Sequence, residues 1–512
     1  MRAGGRRRAG AGVVALCLVQ FVDVLGVTSA TTALPAMTAD LAAPAWSTGV
    51  LATVYAMFFG AFLILGARLG DRYGHRRVLL IGVALFAVVA LAGLSAQEIV
   101  QLVVARALQG LAAALSVPSA LRLLLHLTPQ PAGRRTAVAA WGATGAAAGA
   151  LGFLAGGFLT DLWSWRALYW VNVPIGLALL VVIAATVPAL PPDEDRRRLD
   201  LAGASLLVVA IMAVVVGTSM VERADLRLGG AGAVAVGVGV TAAFLAQQRR
   251  AAEPLIPRTA LTSPNLRTGT VLSFVNTATT SSAGVMVALD LQQRQGASPL
   301  QAGLALLPFS VAVVVGSALA GPLARRLGGR RLARLGLVAV AGGTALLAAT
   351  RGSPTGILGG VVVAGVGLGI AAVAATSIGT DVQEGLAGSA AGILNTGAQL
   401  GTAIGVAALV TLAGTLSPRG LGTPVAWAAA AALATAAAVA LTWPPRPRLA
   451  AGPQDAGTPR ADTPGAADPP AAGSATRAGS RDRPAARRRR SRGPRASGSA
   501  RRARPPGRSA GR

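Results

Sequence analysis

The sequence predicts an all-α integral membrane protein of about fourteen transmembrane helices, with two related six-helix bundles flanking two extra helices. Three observations predict it. The chain of 512 residues is 53% hydrophobic and only 13% charged, whereas soluble proteins carry about 25% charged residues; its mean hydropathy is +0.59. Apolar runs of roughly 20 residues recur throughout, each long enough to cross a bilayer as a helix. A charged hinge between two such runs, Gly66-Ala67-Arg68-Leu69-Gly70-Asp71-Arg72-Tyr73-Gly74-His75-Arg76-Arg77, returns as Gly321-Pro322-Leu323-Ala324-Arg325-Arg326-Leu327-Gly328-Gly329-Arg330-Arg331. With Ala67 set on Gly321, 254 residues on, a Leu, a Gly and the two closing arginines fall in register. Repeats of this size are a mark of transporters.

The remaining composition narrows the class. Many of the 65 glycines lie inside the apolar runs, where small residues let membrane helices approach closely. The net charge of +28 comes from arginine alone, with no lysine anywhere. That points to a genomic composition bias, and no nucleic-acid partner is expected. The one cysteine, Cys17, excludes a disulfide within the chain and a cysteine-based metal cluster. Arg6, Arg7 and Arg8 before an apolar run also fit a cleaved signal peptide, but the run from about Val13 to Leu34 has the length of a spanning helix.

In chain order, a short N-terminal segment (1–12) precedes a first bundle (13–187) with helices near 13–34, 47–66, 78–96, 99–121, 137–159 and 167–187. A Pro-rich, charged break follows. The segment 188–267 holds two extra helices near 200–220 and 229–247. The second bundle (268–443) has helices near 268–290, 302–323, 332–350, 355–378, 388–414 and 424–443. Residues 444–512 are rich in Pro, Ala, Gly, Ser and Arg, too poor in apolar residues to form a core. They read either as a solvated tail or as one held to anionic lipid heads.

Arginine placement tests the count. The N-terminus and the loops after even-numbered helices carry Arg68, Arg72, Arg76, Arg77, Arg134, Arg249, Arg250, Arg325, Arg326, Arg330 and Arg331, among others; the opposite loops hold only Arg166, Arg223, Arg227, Arg294, Arg351 and Arg419. The positive-inside rule then places both termini in the cytoplasm of a multi-pass protein of the cell membrane.

Several stretches carry a family resemblance over about residues 1–443. The hinge resembles the loop between helices 2 and 3 of the major facilitator superfamily. Val104-Ala105-Arg106-Ala107-Leu108-Gln109-Gly110 is similar to its helix-4 motif. Gly145, Gly149, Gly152, Gly156 and Gly157 fall in a stretch similar to the helix-5 motif of its exporters. Trp165-Arg166 through Asn172, Pro174 and Gly176, and Ala387 through Asn395, Gln399 and Gly401, are similar to the fourteen-helix drug:proton antiporter branch. Ala33-Leu34-Pro35 closes helix 1 as it does there. The resemblance implies a major-facilitator-type two-bundle transporter, not an enzyme: it exports drugs, antibiotics or other amphiphilic small molecules, is driven by the proton gradient without a cofactor, and works as a monomer in the lipid bilayer. Two positions depart from the pattern. The branch has an Asp where Gly26 stands, with Asp23 three residues earlier on nearly the same helix face. The exporter motif has a Pro where Phe153 stands.

The candidate residues follow. Asp23 is the one carboxylate near the middle of a helix, and an ionisable group at that depth is a functional candidate by default. Burial favours its neutral form, which suits a proton-coupling site; the alternative is a packing acid bonded to Gln20 or the backbone. Arg106, within the fourth helix, is its natural counter-charge, and the resemblance implicates it in proton coupling; the alternative is a structural cation. Asp71, with Arg72, Gly74, Arg76 and Arg77, sits at a membrane edge, where a carboxylate pairs with arginines or with a helix N-terminus. The resemblance makes this loop a conformational latch; the alternative is a solvated topology signal. Gly145, Gly149, Gly152, Gly156 and Gly157 form a smooth helix face for close packing and, by inference, rocking. Gln20, Asn276 and Asp290 are candidate cavity residues, with Asp290 otherwise a solvated interfacial acid.

Other classes find less support. The chain has no His-Glu-x-x-His, no Gly-x-Ser-x-Gly and no phosphate loop, the sets an intramembrane enzyme would show. His75 and His126 suggest no metal site. A channel leaves the two-half architecture unused. Within transport, an exporter or importer of one endogenous metabolite stands as the alternative; a non-transporting membrane sensor or scaffold is a third reading.

Overall fold

The computed structural model describes residues 3–189, 200–221, 226–251, 253–256, 259, 262–382, 387–416 and 422–442. The expected tail 444–512 and most of the charged break after Pro188 lie outside them. The described residues form fourteen long α-helices and no strand. The first bundle holds α1 (Ala3–Asp40), α2 (Ala45–Tyr73), α3 (His75–Leu94), α4 (Ile99–Leu127), α5 (Pro131–Leu162) and α6 (Arg166–Thr186). The extra pair is α7 (Leu201–Val221) and α8 (Arg227–Arg250). The second bundle holds α9 (Pro264–Leu289, extended by a π-turn, Asp290–Arg294), α10 (Pro299–Leu327), α11 (Gly329–Ala349), α12 (Pro354–Gly379), α13 (Ala387–Leu416) and α14 (Gly422–Ala440). Thirteen have described stretches long and apolar enough to cross a bilayer; α7 contributes the shorter apolar stretch Ala202–Thr218.

The internal repeat is carried by the backbone. α2 and α3 begin at Ala45 and His75, and α10 and α11 begin 254 residues later, at Pro299 and Gly329. α5 and α6 end at Leu162 and Thr186, and α13 and α14 end at Leu416 and Ala440, the same 254 residues on. The hinge glycines match as well: Gly74 has φ +94° and Gly328 φ +75°, a conformation that L-residues avoid. Each lets the chain leave one helix and enter the next with no intervening loop.

Local chemistry sets several helix starts. Ser263, Ser298 and Ser353 cap α9, α10 and α12, accepting from the backbone N–H of Leu266 (3.3 Å), Gln301 (3.3 Å) and Gly356 (3.2 Å). In each case proline occupies the first helical position, where its missing N–H is not needed. One expectation is corrected: Pro35 does not close α1, which continues to Asp40. A single proline removes one donor, leaving the Thr31 carbonyl without its usual backbone partner, a loss that membrane helices tolerate.

Three buried apolar clusters place the site. On the face that carries the α2–α3 and α10–α11 turns, here the hinge face, each bundle has its own core. Leu16, Leu79, Leu123 and Ile183 centre that of the first; Leu332, Leu337, Ala374 and Ala375 centre that of the second. Toward the far face one cluster runs across both bundles, from Leu34, Met37, Leu51 and Trp165 to Met286, Leu306, Val406 and Trp427. The shared core of the two bundles thus lies toward the far face, while toward the hinge face each keeps a core of its own and α2 still meets α13 through Gly60, Ile64 and Leu65. Large apolar side chains such as Ile81, Val88, Trp170, Val181 and Val338 stay exposed on the perimeter, as a lipid-facing surface requires. The extra pair joins at the perimeter too: α7 and α8 meet through Gly217 and Gly230, and Ile211 and Val215 of α7 pack with Val54 and Met57 of α2 and Ala403 and Ala407 of α13.

Candidate transport site

Within the first bundle, α1, α2 and α4 bring together a polar cluster. Tyr55 of α2 is 2% exposed and Arg106 of α4 is 5% exposed. The Tyr55 hydroxyl donates to the Asp23 carboxylate on α1. The Arg106 guanidinium lies over the Tyr55 ring, 4.9 Å from its centroid, a favourable cation–π placement. Arg106 Nη1 donates to the Gly26 carbonyl (3.2 Å) and to Gln109 Oε1 (3.3 Å). The structure records no direct Asp23–Arg106 ion pair among the described residues; Tyr55 stands between them.

Beside this cluster, between the two bundles, lies a cavity of about 280 Å³. Val24, Thr28 and Thr31 of α1, Arg106, and Gly145, Gly149 and Phe153 of α5 form one wall. Thr280, Ser281 and Gly284 of α9, Phe309 and Ser310 of α10, Leu368 of α12 and Thr402 of α13 form the other. The wall is mostly apolar with a few polar groups, the usual make-up of a small-molecule site.

Contacts between the bundles close the far face. The backbone of α5 touches that of α10 at two glycines: a Cβ on Gly157 would overlap the Pro299 carbonyl, and one on Gly303 would stand 2.5 Å from the Phe153 carbonyl oxygen. The Asp161 carboxylate at the end of α5 accepts from Ser298 Oγ (2.7 Å) and, at 3.4 Å, from the Leu300 backbone N–H at the start of α10. Gln292 donates to the Thr32 carbonyl of α1 (2.9 Å).

Two six-helix halves related by one offset, around a central cavity, describe a known transporter architecture. Residues 16–251 and 269–492 match the family described as Major Facilitator Superfamily. The chain belongs to the Major Facilitator Superfamily. Among its relatives is a Mycobacterium tuberculosis protein described as the MFS-type transporter EfpA, 30% identical over 72% of this chain and 69% of the relative. Another is the multidrug efflux pump LfrA of Mycolicibacterium smegmatis, 32% identical over 66% of this chain and 67% of the relative. A solved POT family transporter in complex with 5-aminolevulinic acid shares the fold with TM-score 0.63 at 12% identity, over 84% of this chain and 95% of that one.

On this superfamily frame the remaining candidates separate. Gly145, Gly149, Gly152 and Gly156 do face α1. A Cβ at Gly152 would overlap Thr28 Oγ1, and one at Gly156 would overlap the Ser29 carbonyl. Gly157 turns instead to α10. Asp71 meets His75 (3.1 Å), not an arginine. Arg72 lies over the Tyr73 ring (5.6 Å), and Arg76 donates to the Ala184 carbonyl at the end of α6 (2.6 Å). Arg68 reaches the connector after α8, donating to the Leu255 and Pro254 carbonyls (3.1 and 3.3 Å).

The suggested cavity residues do not line the cavity. Gln20 lies against Gly145 with its Oε1 buried and unpartnered. Asn276 donates to the Leu368 carbonyl (3.3 Å). Asp290 is not a solvated acid: it is 3% exposed, held by Arg294 (2.7 Å) and Gln295 (2.9 Å). The π-turn at Asp290–Arg294 brings those two donors round to it. Sequence reasoning passed over Tyr55 and Asp161. Tyr55 is one of three tyrosines in the chain, which is a signal of a kind; nothing in the sequence marks Asp161.

Proposed function

We propose that the protein is a proton-coupled exporter of amphiphilic small molecules that works by alternating access. The central observation is the cavity between two bundles whose shared core lies toward the far face, with Arg106 in its wall and Tyr55 and Asp23 behind it. The arginine-rich hinge face is taken as cytoplasmic by the positive-inside rule: Arg68, Arg72, Arg76, Arg77, Arg325 and Arg326 are there, among others, against Arg166, Arg227, Arg294 and Arg351 among the described far-face residues. The structure then corresponds to the inward-facing member of the cycle, and the name of the relative LfrA, a multidrug efflux pump, supports export.

In this reading Asp23 takes up a proton when the far face opens and releases it to the cytoplasm. Tyr55 positions its carboxylate, and Arg106 stabilises the deprotonated form. The proton gradient supplies the energy with no cofactor, and one chain in the bilayer suffices. Asp71, Arg72, Gly74, Arg76 and Arg77 form the latch, because contacts such as Arg76 to Ala184 tie the hinge to its own bundle in this state. The glycine face of α5 supplies the surface on which the helices shift. The test is efflux of a fluorescent substrate from cells with and without an uncoupler, for the wild type and Asp23→Asn. Uncoupler-sensitive efflux lost in the variant is expected; uncoupler-resistant efflux removes the coupling.

A further inference from the structure

The chemistry of the cavity wall discriminates by ligand charge. Among the described residues Arg106 is its one charged lining group, and no described carboxylate lines it. The nearest acid, Asp23, is occupied by the Tyr55 hydroxyl and does not reach the lining. Asp290 is committed to Arg294 and Gln295. Arg106 is buried, yet its Nε has no hydrogen-bond partner, and both of its recorded hydrogen bonds leave from Nη1. The Nε is itself covered, so what the cavity meets is the rest of the guanidinium, a cationic donor group that favours an acceptor.

The hydroxyls of the wall act in the opposite sense. Thr28, Thr31 and Thr280 donate their protons to carbonyls one turn back, on Val24 (3.0 Å), Val27 (3.3 Å) and Asn276 (2.6 Å). Their oxygen lone pairs remain available to a ligand hydroxyl or amide. The rings of Phe153 and Phe309 complete the wall and suit an aromatic body.

We infer that the cavity takes uncharged or anionic aromatic amphiphiles, seated with a carbonyl or acidic oxygen on Arg106, and rejects cationic ones. This rests on the transport reading for its physiological meaning, but the selection itself is a property of the wall. A cation would meet the Arg106 guanidinium with no carboxylate beside it on the wall, in a low-dielectric cavity where like charges repel strongly. An anion makes a charge-assisted hydrogen bond there.

The test uses the full chain in nanodiscs and three dyes: fluorescein as anion, rhodamine 6G as cation on the same xanthene frame, and Nile red as the neutral probe. Fluorescence polarisation on the wild type is expected to show fluorescein binding at least about tenfold tighter than rhodamine 6G, the size of effect one charge-assisted hydrogen bond gives, with Nile red also binding. Arg106→Gln brings the two charged dyes together. Gly284→Asp reverses their order, because Gly284 lines the cavity and a side chain there meets nothing within 4 Å. Rhodamine 6G binding as tightly as fluorescein to the wild type, no binding of any dye, or an unaltered order in both variants overturns the inference. Dye flux into proteoliposomes under a proton gradient separates the two readings. Flux of the cation alone overturns charge selection and leaves transport standing. The expected binding order without flux of any dye keeps charge selection and overturns transport.

Discussion

Adding one methyl group at Gly303 should move the whole conformational equilibrium. The Cβ of Gly303→Ala would stand 2.5 Å from the Phe153 carbonyl oxygen and 3.2 Å from its carbon, on the facing backbone of α5. Neither atom belongs to a flexible side chain, so α5 and α10 must separate by roughly 1 Å to restore contact distance. Overpacking of this kind costs about 1–3 kcal/mol. The penalty falls only on the state in which the far face is closed, so the ratio of closed to open shifts by about 5- to 150-fold at 1.4 kcal/mol per decade. The assay is the distance between spin labels on Gln97→Cys and Thr355→Cys, exposed far-face positions on the two bundles, with the sole native cysteine, buried Cys17, replaced. Gly321→Ala on the same helix meets nothing within 4 Å and serves as the control. Gly303→Ala should populate a longer distance that the wild type and Gly321→Ala lack. Identical distributions in all three would refute the idea that this backbone contact seals the far face.

Other variants probe other parts. Tyr55→Phe keeps the ring beneath Arg106 but removes the donor to Asp23. Loss of a hydrogen bond to a charged group, about 1.5–3 kcal/mol, should reduce gradient-driven flux by at least about tenfold, while dye binding measured by polarisation stays within about threefold. Asp161→Ala frees the start of α10 from α5; Asp161 is exposed and Ser298 half-buried, so about 1 kcal/mol is at stake, and the same spin-label pair should show a smaller shift than Gly303→Ala. Gly74→Ala forces a side chain onto φ +94°, at about 1–3 kcal/mol, and should lower the thermal unfolding temperature. Gln248 is fully buried, donates to Asp200 Oδ2 (2.7 Å) and accepts from the Ile256 N–H (3.1 Å). Gln248→Leu leaves that N–H unpaired at about 1–3 kcal/mol, which should show as the same kind of thermal destabilisation with efflux retained.

Fold and site differed in how far they could be read from residues alone. Helix number follows from apolar run length and arginine placement, both local quantities, and the hinge repeat gave the 254-residue offset that the helix starts and the two positive-φ glycines then kept. Helix ends were less legible: Pro35 lies inside α1, because a proline in a long membrane helix removes one donor without having to end it. Asp23 and Arg106 stood out because a charge in an apolar run is conspicuous. Tyr55 joins them only through the packing of α2 against α1 and α4, which leaves no periodic trace. Asp290 looked exposed because it follows an apolar run; the π-turn that buries it cannot be read from composition. The cavity wall was hardest, since it depends on which face of each helix meets the opposite bundle. Arg68 shows the same gap: in the sequence it is one more topology charge, whereas in the fold it ties the hinge to the connector after α8.

The most direct test of proton coupling through Asp23 compares two fluxes in proteoliposomes. Uphill dye accumulation driven by an imposed proton gradient requires the coupling carboxylate; exchange of labelled for unlabelled dye at equal pH requires only the cavity and its two-sided access. Asp23→Asn should abolish the first and retain the second. Uphill accumulation by Asp23→Asn at the wild-type rate would contradict the account.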